Sequence, residues 1–167
     1  MFRSAPYFFA PIIKMKNLFS VLFVCLLLVS GSACADEKAI KEEADSLFGV
    51  GLMYYQGDDI QKDYLEARTF FEKAADLGSK DALFYLGEMY KEGYGVKQDY
   101  PKARDYFDKA AQRRQNDARV SLGVMYKEGL GVKIDLVHAR AWFELACENG
   151  SQKGCTALKK LKSNSGQ

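Results

Sequence analysis

The sequence is poor in the residue sets that build metal and nucleophile centres. It contains one histidine, His138, and neither an H-E-x-x-H nor an S-x-x-K motif. A lone histidine cannot supply the ligands of a zinc site, and its position early in a predicted helix favours a surface residue. The pairs Gly93-x-Gly95 and Gly129-x-Gly131 lack the strand and the following Lys-Ser/Thr pair of a phosphate-binding loop, so they indicate turns. No catalytic residue, metal site or cofactor is predicted.

Acidic residues are absent from residues 1–35, which sets this segment apart from the rest of the chain. After Met15, which competes with Met1 as the true start, come a lysine, an apolar run from Leu18 to Val29 and several small residues. This is the layout of a secretory signal peptide. The run is too short to span a bilayer, which takes about 20 residues. The sequence therefore predicts an upstream extension and signal peptide over residues 1–35, and a periplasmic or secreted bacterial protein.

The processing of this segment leaves alternatives open. Ala33-Cys34-Ala35 fits the small-x-small cleavage rule and would make Asp36 the first residue of the mature chain. A lipoprotein anchored through Cys34 is one alternative, although Gly31 stands where such a motif usually has leucine. An uncleaved anchor is the other.

Removal of the predicted signal peptide changes the charge and the cysteine count. The full chain has a formal charge of +2, and the loss of Arg3, Lys14 and Lys16 brings the mature chain to about −1. A near-neutral chain has no basic field that would attract nucleic acid. Of four cysteines, only Cys147 and Cys155 remain, an even pair in an oxidising compartment. No transmembrane helix is predicted in the mature chain.

Three stretches of the chain superimpose without gaps at a shift of 36 residues: 46–81, 82–117 and 118–153. The same residue recurs in all three at Gly51, Gly87 and Gly123; at Met53, Met89 and Met125; at Tyr54, Tyr90 and Tyr126; at Asp63, Asp99 and Asp135; at Ala67, Ala103 and Ala139; and at Phe71, Phe107 and Phe143. Such a period marks a repeat architecture, in which each unit buries its apolar face against its neighbours.

Each unit has the pattern of two helices. In the second unit Leu83, Leu86 and Tyr90 fall at helical spacing, and Gly93 ends this helix because glycine readily takes the left-handed conformation. Asp99 then offers an N-cap for the second helix. The sequence therefore predicts a helix, a glycine turn and a second helix in each repeat.

The ends of the repeat array complete the predicted fold. In the first unit Asp63 and Glu66 match a capping box. Residues 36–45 extend the first helix as an N-terminal cap, and residues 154–167 form a C-terminal capping half-repeat and tail. The predicted class is all-α, an α-α solenoid of three 36-residue helix-pair repeats with a C-terminal capping helix.

The pattern resembles the SEL-one-like repeat (SLR) family, a relative of the tetratricopeptide repeats. The third repeat carries the family motif as Ala118, Leu122-Gly123, Met125-Tyr126, Gly129-x-Gly131-Val132, Asp135, Ala139, Trp142-Phe143, Ala146 and Gly150. The first repeat departs at Asp59 and Ile60, and the second at Arg114, where a non-glycine disfavours a tight left-handed turn. The resemblance covers residues 46–153.

The two remaining cysteines lie near the C-terminal cap. Cys147 falls near the end of a second helix and Cys155 at the start of the half-repeat. A bridge would tie the cap to the third repeat and stabilise it by roughly 2–3 kcal/mol on a chain-entropy model. This spacing also resembles the secreted, cysteine-rich branch of the SLR family, which implies a Cys147–Cys155 disulfide. Two free buried thiols are the alternative.

The first helices carry a stripe of residues spaced i, i+4, i+7, on the face away from the leucine, glycine and tyrosine positions. The stripe consists of Phe48, Leu52 and Tyr55; Phe84, Glu88 and Lys91; and Val120, Val124 and Lys127. In tetratricopeptide-like stacks the first helices line the concave side, so the stripe predicts an apolar groove with a charged edge for a partner. The alternative is that these side chains only pack against the inward curve of the solenoid.

These features favour a monomeric, noncatalytic scaffold or adaptor that holds a protein or peptide, in particular an envelope protein, in its groove. The alternative is an enzyme, because some members of the cysteine-rich SLR branch have been associated with β-lactam binding or hydrolysis. The missing S-x-x-K removes the serine nucleophile motif of the common β-lactamases.

Overall fold

The computed structural model describes residues 18–57 and 60–164, and within them it contains seven helices and no strand. The helices are α1 (Leu18–Gln56), α2 (Tyr64–Asp76), α3 (Lys80–Glu92), α4 (Tyr100–Gln112), α5 (Asn116–Glu128), α6 (Leu136–Glu148) and α7 (Gln152–Asn164). The chain divides into two compact units, Met1–Lys38 and Ala39–Gln167, and the repeats lie in the second. The predicted all-α class is confirmed.

The helices after α1 follow the period of the sequence. Each has 13 residues, and α3, α5 and α7 begin 36 residues apart, as do α2, α4 and α6. Each helix packs against the next along the chain from α2 to α7, and α7 also contacts α5. This is the predicted solenoid of stacked helix pairs, with α7 as its last helix.

The N-terminal predictions fall partly within α1. This helix includes residues 36–45, the predicted cap, and continues into the first repeat. Residues 1–17 of the predicted extension and signal peptide lie outside the described residues, as does the side chain of Cys34, on which the lipoprotein alternative depends. In the part of the chain that the structure describes, no helix is both long and apolar enough to cross a membrane.

The aspartates that recur every 36 residues cap the second helices. The Asp99 side chain accepts a hydrogen bond from the backbone N–H of Lys102 at 2.9 Å, and its own backbone N–H donates to the Tyr90 carbonyl at 2.8 Å. Asp63 and Asp135 make the same two kinds of bond. The predicted N-caps are confirmed, and each one also ties the second helix to the first.

The capping box predicted at Asp63 and Glu66 forms only in half. Asp63 Oδ1 accepts from the backbone N–H of Glu66 at 3.1 Å, as the box requires. The backbone N–H of Asp63 donates instead to the Tyr54 carbonyl at 3.0 Å. The second bond of the predicted box, from the backbone N–H of Asp63 to the Glu66 side chain, is therefore wrong, because this N–H group already donates to Tyr54 on α1.

The repeated glycines and phenylalanines are explained by one contact. A Cβ atom on Gly87 in α3 would lie 2.5 Å from Cε1 of Phe107 in α4, and that ring is fully buried. Only glycine lets the ring lie directly on the helix backbone, so the small and the large residue must recur together. The same contact joins Gly51 to Phe71 and Gly123 to Phe143.

The turns after the second helices use a left-handed backbone at Gly78, Arg114 and Gly150, with φ of 95°, 61° and 86°. The turn therefore forms at Arg114 although arginine disfavours it. A backbone hydrogen bond from Gln115 N–H to the Ala110 carbonyl, 3.1 Å long, closes this turn. Asp59, one of the two residues at which the first repeat departs from the motif, lies outside the described residues.

Replacing Arg114 by glycine is expected to raise the free energy of unfolding by about 1 kcal/mol, because glycine takes a positive φ without steric cost. Arg113 is the matched control, because its φ is −86°. Arg113→Gly should lower the free energy of unfolding by roughly 0.5–1 kcal/mol, because it relieves no backbone strain and only increases the conformational entropy of the unfolded chain. Urea unfolding measures both variants. Changes of the same sign would contradict the assignment of strain to Arg114.

The structure contains the Cys147–Cys155 disulfide implied by the family resemblance, which joins the end of α6 to the first turn of α7. The two Cα atoms are 4.6 Å apart. Next to the bridge, a Cβ atom on Gly154 would lie 2.7 Å from the Cβ of Ala146, so the two helices are in close contact here. The bridge thus fixes the last helix of the stack to the third repeat.

Reduction of this disulfide is expected to cost about 2 kcal/mol of stability and to lower the melting temperature by about 4–8 °C. The helix content near 25 °C should not change, because the bridge holds the end of the stack and not its middle. Circular dichroism with and without a phosphine reductant measures both quantities. A variant with Cys147 and Cys155 both replaced by alanine should not respond to the reductant. An unchanged melting temperature on reduction of the wild-type protein would contradict the prediction.

Candidate interaction surface

A fixed cluster of charges lies on α3 within the predicted groove. Lys91 Nζ donates to both carboxylate oxygens of Glu88, at 2.9 and 2.8 Å, and Ser121 Oγ on α5 donates to Glu88 Oε1 at 3.2 Å. Both charged side chains are only 21% exposed. Burial alone would lower the pKa of Lys91, but the hydrogen bond and the charge of Glu88 outweigh it, so the pKa is raised. Lys91 also pairs with Glu92 at 3.1 Å, so the lysine is held between two carboxylates.

An aromatic group centred on Tyr85 lies beside these charges. Its ring centroid is 5.6 Å from that of Phe48, 5.2 Å from Tyr55 and 5.4 Å from Phe84. On its inner side Tyr85 stacks on the buried ring of Phe71 at 5.3 Å. These distances are typical of favourable aromatic pairs, so the core holds the group rigidly.

Burial and nearby carboxylates keep the tyrosines of this group neutral. Burial, followed by the charge of Glu88, raises the pKa of Tyr55 far above its usual value. Burial also raises the pKa of Tyr85, with further contributions from Asp117 and Asp81. The surface therefore offers neutral phenol hydroxyls beside carboxylates.

The predicted groove residues contribute unequally to this surface. Phe48, Leu52 and Tyr55 are half-buried and pack against one core cluster, and Phe84 is half-buried against the other. Val120 is half-buried as well. These side chains thus have a packing role and retain exposed surface.

Sequence reasoning missed Tyr85 and Ser121, which complete the surface. Both fall one residue after a stripe position, where the third related residue is Gly49. Spacing of i, i+4, i+7 excludes them, although the face of a helix is wide enough to include a neighbouring position. A tyrosine standing where the other units have glycine and serine was the available signal.

A hollow of about 720 Å³ lies between α5, α6 and α7 and is here called the C-terminal hollow. Its apolar lining comes from Val124, Leu136, Phe143, Ala157 and Leu161. Pockets that hold small ligands or side chains typically have roughly 300–1,000 Å³. Val124, a residue of the predicted stripe, thus lines this hollow.

Lysines surround the C-terminal hollow. Lys127, Lys153 and Lys160 all line it, and Lys127 is the most exposed residue of the predicted stripe. Lys153 Nζ pairs with Asp117 Oδ1 at 2.8 Å, yet its side chain is 74% exposed. The hollow thus combines an apolar floor with a positive edge.

His138 is exposed, as predicted for a surface residue. Its Nδ1 lies 2.7 Å from Asp135 Oδ2, and its ring stacks on Tyr126 at 5.3 Å. The hydrogen bonds from the backbone and the ring of His138 lower the pKa of Asp135. Within residues 18–57 and 60–164, no group of three or more histidine, cysteine or acidic residues is placed to hold a metal ion.

Stacked helix pairs with aspartate caps and glycine–phenylalanine contacts define an α-α repeat protein. A family model of the Sel1 repeat matches residues 44–79, 80–114 and 116–151, so this chain belongs to the Sel1 repeat family. Proteins of this family are in general noncatalytic scaffolds for protein interactions. A comparison with curated proteins gives no match.

Solved structures show the same fold. The Sel1 repeat protein from Oxalobacter formigenes is 32% identical, with a TM-score of 0.67 over 70% of this chain and 48% of that protein. A protective antigen of uropathogenic Escherichia coli that displays an SLR fold is 35% identical, with a TM-score of 0.68 over 73% of this chain and 26% of the antigen. This chain thus spans about half of the first relative and about a quarter of the second.

A third relative is matched over almost its whole length. The cysteine-rich protein B of Helicobacter pylori is 27% identical, with a TM-score of 0.57 over 72% of this chain and 95% of that protein. Likeness to a cysteine-rich repeat protein agrees with the disulfide between α6 and α7.

Proposed function

We propose that this protein is an exported, noncatalytic scaffold that holds a protein or peptide of the cell envelope in a groove lined by the first helices of its repeats. The groove comprises the nine stripe residues together with Tyr85 and Ser121. The observation that carries the proposal is the half-buried aromatic group around Tyr85, next to the fixed Glu88–Lys91 pair.

Such a surface suits binding for two physical reasons. The rings of Phe48, Tyr55 and Phe84 are already held by core contacts, so a partner that covers them loses little side-chain entropy on their account. Aromatic anchors at the centre of an interface commonly provide most of its binding energy. The paired charge of Glu88 and Lys91 fixes the polar edge and so restricts which partner fits.

Two observations support export. Disulfides persist in oxidising compartments, and the described chain contains one between Cys147 and Cys155. The cysteine-rich relative from Helicobacter pylori points in the same direction. N-terminal sequencing of the protein from its native cell is expected to begin at Asp36, whereas a chain that begins at a lipid-modified Cys34 would replace this part of the proposal by the lipoprotein alternative.

Site-specific photo-crosslinking in the native cell tests the scaffold function. A photoreactive amino acid at Leu52, in the stripe, should capture one envelope protein that mass spectrometry identifies. Thr69 is the control because it is exposed on the second helix α2, outside the stripe. Equal capture of the same proteins from both positions would mean that the stripe is not the binding surface.

A further inference from the structure

The C-terminal hollow continues a series of contacts that the protein makes between its own repeats. Tyr64, the first residue of α2, is covered by the ring of Tyr94, with centroids 4.9 Å apart and an interplanar angle of 7°. Tyr100, the first residue of α4, is covered by the loop at Gly131, where a Cβ atom would lie 2.5 Å from the Tyr100 Cβ. In each contact, a glycine backbone or an apolar side chain packs against the first residue of a second helix.

Leu136 is the third member of this series, as the first residue of α6. Its side chain is 50% exposed, and it lines the hollow beside the buried Phe143. An apolar side chain placed on Leu136 would repeat the contact that Tyr94 makes with Tyr64. The apolar lining of the hollow suits such a group.

The charge on the first helices reverses toward the hollow. Glu88 on α3 corresponds to Lys160 on α7, two repeats later, and Asp117 on α5 corresponds to Lys153 on α7. In the described part of the chain Lys160 has no ion-pair partner. Lys153 pairs with Asp117 and Lys127 pairs with Glu128, so Lys160 carries the unpaired positive charge beside the apolar floor, which complements a carboxylate next to an apolar group.

We propose that the C-terminal hollow binds an acidic peptide segment of the partner, with one aliphatic or aromatic side chain seated on Leu136 and adjacent carboxylates paired with Lys160 and Lys153. The inference rests on the proposed scaffold function and names the chemistry of what it holds. The acidic stretch would lie at the α7 end of the groove, because the charge on the first helices reverses toward that end.

Titration of the isotope-labelled full chain with the peptide GSLDEGS, followed by NMR, tests the proposal. Amide shifts are expected at Thr156, Ala157 and Leu161, and the neutral analogue GSLNQGS and the anchorless analogue GSGDEGS should bind more weakly. Lys160→Glu should weaken binding about tenfold, because it replaces an attraction by a repulsion. Lys109→Glu, an exposed charge reversal on α4, should change the affinity less than twofold. Melting curves for both variants verify that they fold.

Three results would overturn the proposal. No amide shift at millimolar peptide, or equal binding of the acidic and neutral peptides, would show that the hollow does not select carboxylates. Self-association that Lys160→Glu abolishes in sedimentation would make a second copy of this chain the occupant. If Lys160→Glu leaves the capture of a partner from Leu52 intact, the scaffold function stands and only the proposed role of the hollow is wrong. If a photoreactive residue at Leu52 captures no partner in the otherwise unchanged protein, the scaffold function itself is contradicted.

Discussion

Replacing Gly87 by valine is expected to lower the free energy of unfolding by about 3 kcal/mol, because the new side chain would meet a buried ring. Even a single Cβ atom at this position would lie 2.5 Å from Cε1 and 2.6 Å from Cδ1 of Phe107. The ring is fully buried, and densely packed protein interiors leave little room for a side chain to shift. Relief therefore requires separation of α3 from α4, which exposes part of the core.

Gly49 provides the matched control for this experiment. It lies in α1 and is exposed, and a Cβ atom added to it would meet no atom of a neighbouring element within 4 Å. Gly49→Val should change the free energy of unfolding by less than about 0.5 kcal/mol, because only helix propensity differs. Urea unfolding monitored by circular dichroism measures both variants. A similar loss in the two would show that backbone entropy, and not contact with Phe107, explains the glycine.

A smaller side chain at the ring position should relieve the clash. Phe107→Leu alone should destabilise the protein, since it removes buried apolar volume. In the Gly87→Val background the same change should cost much less or restore stability, because the two substitutions share one space. Additive effects in this double-mutant cycle would contradict the direct contact.

The sequence predicted the helix pairs well because their determinants are local. Asp99 caps α4 and Gly93 ends α3 with φ of 79°, and both depend on residues within one turn of the chain. The capping box at Asp63 was half wrong because the competing acceptor, the Tyr54 carbonyl, lies on another helix. The 36-residue period can be recognised in the sequence alone. The contact between Gly87 and Phe107 could not be predicted in the same way, because it depends on how two helices pack.

The candidate surface was harder to predict because it depends on which residues remain uncovered. The stripe spacing placed Glu88 and Lys91 on one face, and the structure pairs them. It did not predict that Tyr85 would join the aromatic group, since that position holds glycine and serine in the other repeats. The C-terminal hollow follows from the exposure of Leu136 at the end of a series, which no local pattern encodes.

Leu86→Ala is expected to lower the free energy of unfolding by about 2–5 kcal/mol, as truncation of a buried leucine does. Leu86 is 1% exposed and belongs to the core cluster around Phe71. The folded fraction of this variant should keep its affinity for the partner, because the side chain does not reach the surface. Chemical unfolding gives the stability, and affinity is measured for the partner identified by crosslinking at Leu52.

Phe84→Ala is the comparison that tests the groove, because Phe84 is only half-buried and lies two residues away on α3. Its ring contacts Phe107 at 5.8 Å and Tyr85 at 5.4 Å, so its loss should cost about 1–2 kcal/mol of stability, less than the loss of Leu86. Affinity for the partner should fall about tenfold or more, since truncation of a central aromatic anchor removes much of the binding energy. The two variants should therefore show opposite orders in stability and in affinity. If Phe84→Ala destabilises the protein as strongly as Leu86→Ala and leaves the affinity unchanged, the stripe is part of the core and the groove hypothesis is wrong.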